Sequence, residues 1–256
     1  MNNNPIGFFD SGVGLISVLK ETKKLLPLEN FVIFADQGHN PYGEKSKVQI
    51  RKYAKDAISY LIKKHQIKMM VLACNTATVL ALDFLRKHFE IPIVGTVPAV
   101  KTAYGHSKKS KIAVMSTPAT AKSQYLKTLI KDHGRNAKTL KVGCFGLEEA
   151  IEILDKKRIS SLSKKYTIPI NKFGADVVVL GCTHYPLVKD QIRKNLTDKI
   201  KIIDSGQAIA KRVKSLLADN VSQKRAKDFY YTSGDSQLFS RVASTLLRSK
   251  IRAYQV

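Results

Sequence analysis

Residues 69–78, MMVLACNTAT, and residues 176–185, DVVVLGCTHY, follow one pattern. Each has an apolar run, then a small residue (Ala73, Gly181), a cysteine (Cys74, Cys182) and a pair of hydrogen-bonding side chains (Asn75 and Thr76, Thr183 and His184). Apolar throughout rather than alternating, such runs read as strands buried on both faces. Others of the same kind are IGFF (6–9), FVIFAD (31–36), IPIVGT (91–96), KIAVMS (111–116), LKVGCF (140–145) and IKIID (200–204). Longer segments of helical period separate them, among them 48–64 and 120–133. The fold class expected is α/β, with mainly parallel central sheets covered by helices.

The spacing carries a second message. Ile6 and Ile112, Phe31 and Leu140, Cys74 and Cys182, and Ile91 and Ile200 are all offset by 106 to 109 residues. A nearly constant displacement across four strands implies two similar α/β units, pseudo-twofold related, with the active site in the cleft between them. The first domain is expected over 1–97 and 206–256, with YYTSGD (230–235) and two more helical segments returning to it, and the second over 98–205.

Composition narrows the class. The chain has 256 residues, 44% of them hydrophobic, which is enough to build large cores. Three cysteines are too few for a disulfide framework, MNNNP lacks the pattern of a secretory signal, and lysines interrupt every apolar stretch. A cytoplasmic protein with no membrane association is expected. The net charge of +24 points to acidic partners. The lysines are scattered among periodic segments, which fits solvated helix faces, although a basic surface also draws a dianionic substrate toward a cleft.

Four readings compete for Cys74, Cys182 and His184. Free cysteine is often simply core, and Cys144 fits that description. A metal site is not indicated, because no CxxC pair or His pair has ligand spacing. A Cys-His nucleophile gains nothing from adjacency in sequence, since such partners meet in space. Two thiols at matching strand ends also suit paired acid/base chemistry, in which one removes a proton from one face of a carbon and the other returns one to the opposite face. Other polar corners are FFDSGVG, with Asp10 and Ser11 as anion-facing residues or as helix N-caps; the turn sequence Asn40-Pro41-Tyr42-Gly43; the hydroxyl-rich STPAT, with Thr117 and Thr120; and Glu152, which a helical EEAIEIL would most often turn to solvent.

As a set, FDSGVG (9–14), ADQGHNPYG (35–43), ACNTAT (73–78), VPAVKTA (97–103), ATAKSQY (119–125), LGCTHYPL (180–187), DSG (204–206) and YTSGD (231–235) resemble the glutamate racemases, over nearly the whole chain. The resemblance implies an isomerase that interconverts L- and D-glutamate without a cofactor or metal and supplies D-glutamate for peptidoglycan. It implies Cys74 and Cys182 as the catalytic acid/bases, and Asp10, Ser11, Tyr42, Gly43, Asn75, Thr76, Thr183 and His184 as substrate-binding residues. Asp10 and His184 would also assist the neighbouring thiols, and Glu152, Thr117 and Thr120 would support them. It further implies a homodimer, and some members are associated with DNA gyrase. The rival readings are an aspartate racemase or decarboxylase of the same superfamily and a basic module that binds nucleic acid or protein.

Overall fold

Five buried residues, β1 (Ile6–Asp10), form the centre of the first sheet. The computed structural model describes residues 2–134, 137–218 and 220–256. After β1 come α1 (Leu15–Leu25), β2 (Phe31–Ala35), α2 (Lys47–His65), β3 (Met69–Leu72), α3 (Asn75–His88) and β4 (Ile93–Gly95). The chain then runs through α4 (Val100–His106), β5 (Lys111–Ser116), α5 (Pro118–Lys122), α6 (Gln124–Gly134), β6 (Lys138–Gly143), α7 (Leu147–Glu152) and α8 (Lys156–Phe173). Next are β7 (Val177–Leu180), α9 (Lys189–Arg193), β8 (Lys201–Ile203), α10 (Gly206–Leu217), β9 (Phe229–Thr232), α11 (Ser236–Leu247) and β10 (Ala253–Gln255). The chain divides into two units, Met1–Thr96 with Gly206–Val256, and Val97–Ser205.

The sheet of the first unit has the order β10-β9-β2-β1-β3-β4, and that of the second β6-β5-β7-β8. Among the described residues all strand pairings are parallel. The order β2-β1-β3-β4 therefore recurs as β6-β5-β7-β8, as the constant sequence offset requires. The correspondence extends to single hydrogen bonds. Asp36 N–H donates to the Asp10 carbonyl and Ala73 N–H to that of Phe9; in the second unit, Cys144 N–H donates to Ser116 and Gly181 N–H to Met115. Each bond prolongs a ladder one step past the strand end, so the residues that follow start from a fixed backbone.

The central strands of each sheet are apolar on both faces because helices cover them. Phe9, Leu72, Ile50, Ile58 and Leu85 meet in the core on one side of the first sheet, and Ile112, Val114, Val177, Val179 and Leu126 form the corresponding core in the second. α2 starts on a capping box, in which Ser46 Oγ accepts the Gln49 N–H and Gln49 Oε1 accepts the Ser46 N–H. The segment expected as one helix over 120–133 is two, α5 and α6, broken at Ser123. That residue is extended, and its hydroxyl donates to the Thr120 carbonyl and accepts the Leu126 N–H, so it closes one helix and opens the next. Among the described residues, no helix is long and apolar enough to cross a membrane.

Candidate active site

In the first unit the side chains of interest lie at the carboxyl ends of β1, β2 and β3, where parallel α/β sheets place ligands. β1 ends on Asp10, which is fully buried together with Ser11. Neither is a helix cap: α1 begins at Leu15, Gly14 occupies the cap, and no side chain bonds there. Asp10 Oδ1 instead accepts the Ser11 N–H at 2.7 Å and the Ser11 hydroxyl at 3.3 Å, and Ser11 Oγ lies 3.7 Å from Cys74 Sγ. Cys74 is itself the N-cap of α3, its sulfur accepting the Ala77 N–H at 3.5 Å. A sulfur placed there faces the positive end of the helix dipole, a setting that favours negative charge.

Asn75 opens α3 and is buried, yet its Oδ1 has no hydrogen-bond partner among the described residues. An unpaired buried amide oxygen costs stability, which makes it a natural place for a ligand donor. Thr76 beside it is half-buried. Tyr42 lies in a short 3₁₀ turn, fully buried, and its hydroxyl donates to Asp36 Oδ2 at 2.5 Å. Burial and the Asp36 carboxylate hold its phenol far above the ordinary range, with Cys74 and Asp10 adding to the effect, so it remains a neutral donor. Gly43 is exposed, so only its backbone is available to a ligand. Asp36 also accepts the Ser233 hydroxyl at 2.5 Å and pairs with His39 at 2.8 Å. Sequence reasoning missed Asp36, although it follows β2 directly, much as Asp10 ends β1.

In the second unit Gly181, Cys182, Thr183 and His184 follow β7, and the last three are buried. Cys182 Sγ is 3.6 Å from His184 Nδ1, and His184 Nε2 is 2.5 Å from Glu152 Oε1. Burial pushes the Cys182 thiol above its ordinary range, the Glu148 carboxylate adds to this, and His184 offsets part of it. Burial alone would lower the His184 imidazole, but its hydrogen bonds to Cys182 and Glu152 outweigh that and hold it well above 6.5. The arrangement is a buried thiol against one nitrogen of an imidazole whose other nitrogen a carboxylate anchors.

Glu152 is buried, not turned to solvent. α7 is a single short helix whose end points the side chain inward at His184. Glu148, whose charge acts on both Cys182 and His184, is a second acid that the sequence pattern did not single out. Thr117 and Thr120 are buried but engage each other, with Thr117 Oγ1 donating to Thr120 Oγ1 at 3.1 Å and accepting the Thr120 N–H as the cap of α5. Cys144 is core, its thiol pushed up to about 12 by burial. No disulfide joins the three cysteines. No group of three or more His, Cys, Asp and Glu side chains among the described residues is arranged to hold a metal ion.

Similarity to known proteins points the same way. The model of the Asp/Glu/hydantoin racemase family matches residues 23–213. A glutamate racemase of Herpetosiphon aurantiacus is 36% identical, over 96% of this chain and 99% of its own. Two solved structures are similar at 28% identity. Glutamate racemase isoform RacE1 of Bacillus anthracis has a TM-score of 0.89, covering 100% of this chain and 98% of its own. The Escherichia coli glutamate racemase, in complex with L-glutamate and the activator UDP-MurNAc-ala, has a TM-score of 0.87, covering 98% and 97%. By sequence along nearly its full length and by the fold that carries both cysteine corners, this chain belongs to the glutamate racemases of the Asp/Glu/hydantoin racemase family.

Proposed function

We propose that Cys74 and Cys182 interconvert L- and D-glutamate as a pair of acid/base thiols, each acting on one face of the same α-carbon. The observation that carries this reading is the equivalence of the two corners. Each cysteine follows the corresponding strand, β3 or β7, and each has its own buried polar partners, Ser11 with Asp10 in one unit and His184 with Glu152 in the other.

In one direction the Cys74 thiolate takes the α-proton. The Cα–H bond breaks, an S–H bond forms, and the electron pair moves into the substrate carboxylate as an enediolate. Cys182 then delivers its proton to the opposite face, leaving a thiolate beside the His184 imidazolium. The reverse direction exchanges the two roles.

The α-proton of an amino acid is very weakly acidic, so the developing charge needs preorganised donors. Asn75, Thr76, Thr183 and the backbone N–H groups at the start of α3 supply them, and one such donor is worth about 3 kcal/mol in a site of this kind. Ser11 and Asp10 orient Cys74, and Tyr42, whose hydroxyl proton goes to Asp36, accepts from the substrate ammonium through its oxygen. The full-length relatives are glutamate racemases, which favours glutamate over aspartate as substrate. The protein works in the cytoplasm as a homodimer, and its D-glutamate enters peptidoglycan.

The test is racemisation of L-glutamate by circular dichroism without added cofactor, with α-proton exchange followed in D₂O. Cys74→Ala and Cys182→Ala are each expected to lower the rate by roughly 10³-fold or more while the far-ultraviolet spectrum stays unchanged. Wild-type racemisation by either variant would refute the assignment, and sedimentation velocity checks the dimer.

A further inference from the structure

The Cys74 corner lies at the carboxyl end of the first unit's sheet. At the opposite, amino-terminal ends of β9 and β10, the same sheet borders a cavity of about 380 Å³. Lys23, Arg225, Lys227, Lys250 and Arg252 line it, against the single carboxylate of Asp228. That carboxylate is already engaged, accepting the Phe31 N–H at 3.1 Å and pairing with Lys23 at 2.6 Å and Arg225 at 3.3 Å. Lys227, Lys250 and Arg252 have no carboxylate partner among the described residues.

Lysines such as Lys52, Lys55 and Lys63 on α2 instead sit on an exposed helix face, where water and salt screen them. Here the cations come from three separate stretches of chain, the end of α1, residues 225–227 and residues 250–252, and converge on one concavity. A recess with apolar walls focuses their field. Tyr230 and Tyr254 supply part of those walls, and the Arg252 guanidinium lies 5.5 Å from the centre of the Tyr254 ring, which is 40% exposed.

We propose that this cavity binds a small polyanion of the di- or triphosphate class, its oxygens bridging Lys227, Lys250 and Arg252. A lone carboxylate would neutralise only one of these cations. A phosphate chain presents several anionic oxygens a few ångströms apart, which suits the bidentate guanidinium and two point-charge ammonium groups. The volume lies within the usual range of small-ligand sites. Two sources share this chemistry: an inorganic polyphosphate, held by charge alone, and a nucleoside triphosphate, whose base would also rest against the Tyr254 ring.

The experiment is isothermal titration calorimetry of the full chain with tripolyphosphate and with ATP at a fixed salt concentration. It compares wild type, Lys250→Ala/Arg252→Ala, and a control, Lys55→Ala/Lys63→Ala, that removes the same charge from exposed positions on α2. One equivalent of tripolyphosphate is expected to bind. Its Kd should weaken about tenfold or more in the cavity variant and stay unchanged in the control, with racemisation intact in both. Tighter binding of ATP than of tripolyphosphate identifies a nucleotide, and equal binding identifies the phosphate chain; either supports the site. No binding, or equal weakening in cavity variant and control, overturns it. So does failure of tripolyphosphate alongside binding of a single-stranded oligonucleotide that weakens equally in both variants, because that is the signature of a diffuse basic surface.

Discussion

His184 is a fully buried ring held between a thiol on Nδ1 and a carboxylate on Nε2. Burial pulls its proton affinity down and the two partners raise it by more. Removing one partner therefore has a definite sign. In Glu152→Gln the anchoring charge is gone, burial counts for more, and the ring loses its proton at lower pH than in wild type. If the imidazolium supports the Cys182 thiolate, the alkaline limb of kcat/KM moves to lower pH for the direction in which Cys182 donates. An unchanged limb would separate Glu152 from the chemistry. The same pair affects stability, because its folded-state proton affinity lies above the unfolded value: the contribution is complete below about pH 6.5 and is lost as pH rises through the raised value. Glu152→Gln should flatten that loss in urea titrations. The place of the cysteines and His184 after apolar runs was legible in the sequence, whereas Glu152 came only through the family resemblance and its own segment suggested a solvent-facing side chain. Helical period says that α7 has a buried face, yet six residues carrying three acids do not say which acid lies on it. Asp36 was hidden for a different reason, since its contact with Ser233 arises only where β2 and β9 come side by side, and its local partners Tyr42 and His39 lie in a turn that has no periodic signal.

At the scale of elements, Asp176 precedes β7 by one residue and anchors the loop that leads into β5. Its carboxylate accepts the Ser107 hydroxyl at 2.6 Å and the N–H groups of Lys108 and Lys109 at 2.6 and 2.8 Å. Burial opposes ionisation, but the three donors prevail and hold the carboxyl below its ordinary 3.8. The stability this supplies is present above pH 3.8 and is lost as pH falls through the lowered value. Asp176→Asn keeps the shape and loses the charge. Because the group is only half-buried and is screened, the expected cost is about 1 kcal/mol at pH 7, vanishing in strong acid, as read from urea midpoints against pH. A cost that persists undiminished at low pH would mean that shape, not charge, holds the loop. The central strands β1, β3, β5 and β7 were plain in the sequence because both faces are buried and every residue between their ends is apolar. β6 begins two residues before its apolar signal, since an edge strand carries Lys138 and Lys141 toward water. β10 gave no signal at all: three residues with two exposed have no pattern, and only pairing with β9 makes them a strand.

The duplication was legible on the largest scale because a repeated strand order leaves a repeated spacing, and the two sheets share the order that the spacing implies. What spacing does not reveal is how a unit interrupted between residues 96 and 206 is tied together. Lys68, just before β3, provides one such tie. Its ammonium is buried, pairs with Glu29 at 2.8 Å, and donates to the carbonyls of Asn2 and Asn220 and to the Ser222 hydroxyl. Glu29 in turn accepts the Ser222 N–H and hydroxyl at 2.7 and 2.9 Å. One ion pair thus joins the start of the chain, the approaches to β2 and β3, and the segment that returns after α10. Lys68→Met leaves the Glu29 carboxylate buried without its counter-charge, and such a loss costs about 3 kcal/mol or more. Glu29→Gln in the same chain removes the stranded charge and should recover much of that loss, which urea unfolding of the two single variants and the double variant would show as strong coupling. Hydrogen exchange should find protection falling first in β9 and the segment that leads to it, because those residues depend on the tie to remain with a sheet that closed 130 residues earlier in the chain. Additive costs in the double variant, or exchange that rises evenly across the first unit, would mean that helix packing of α10 on α1 holds the return segment instead.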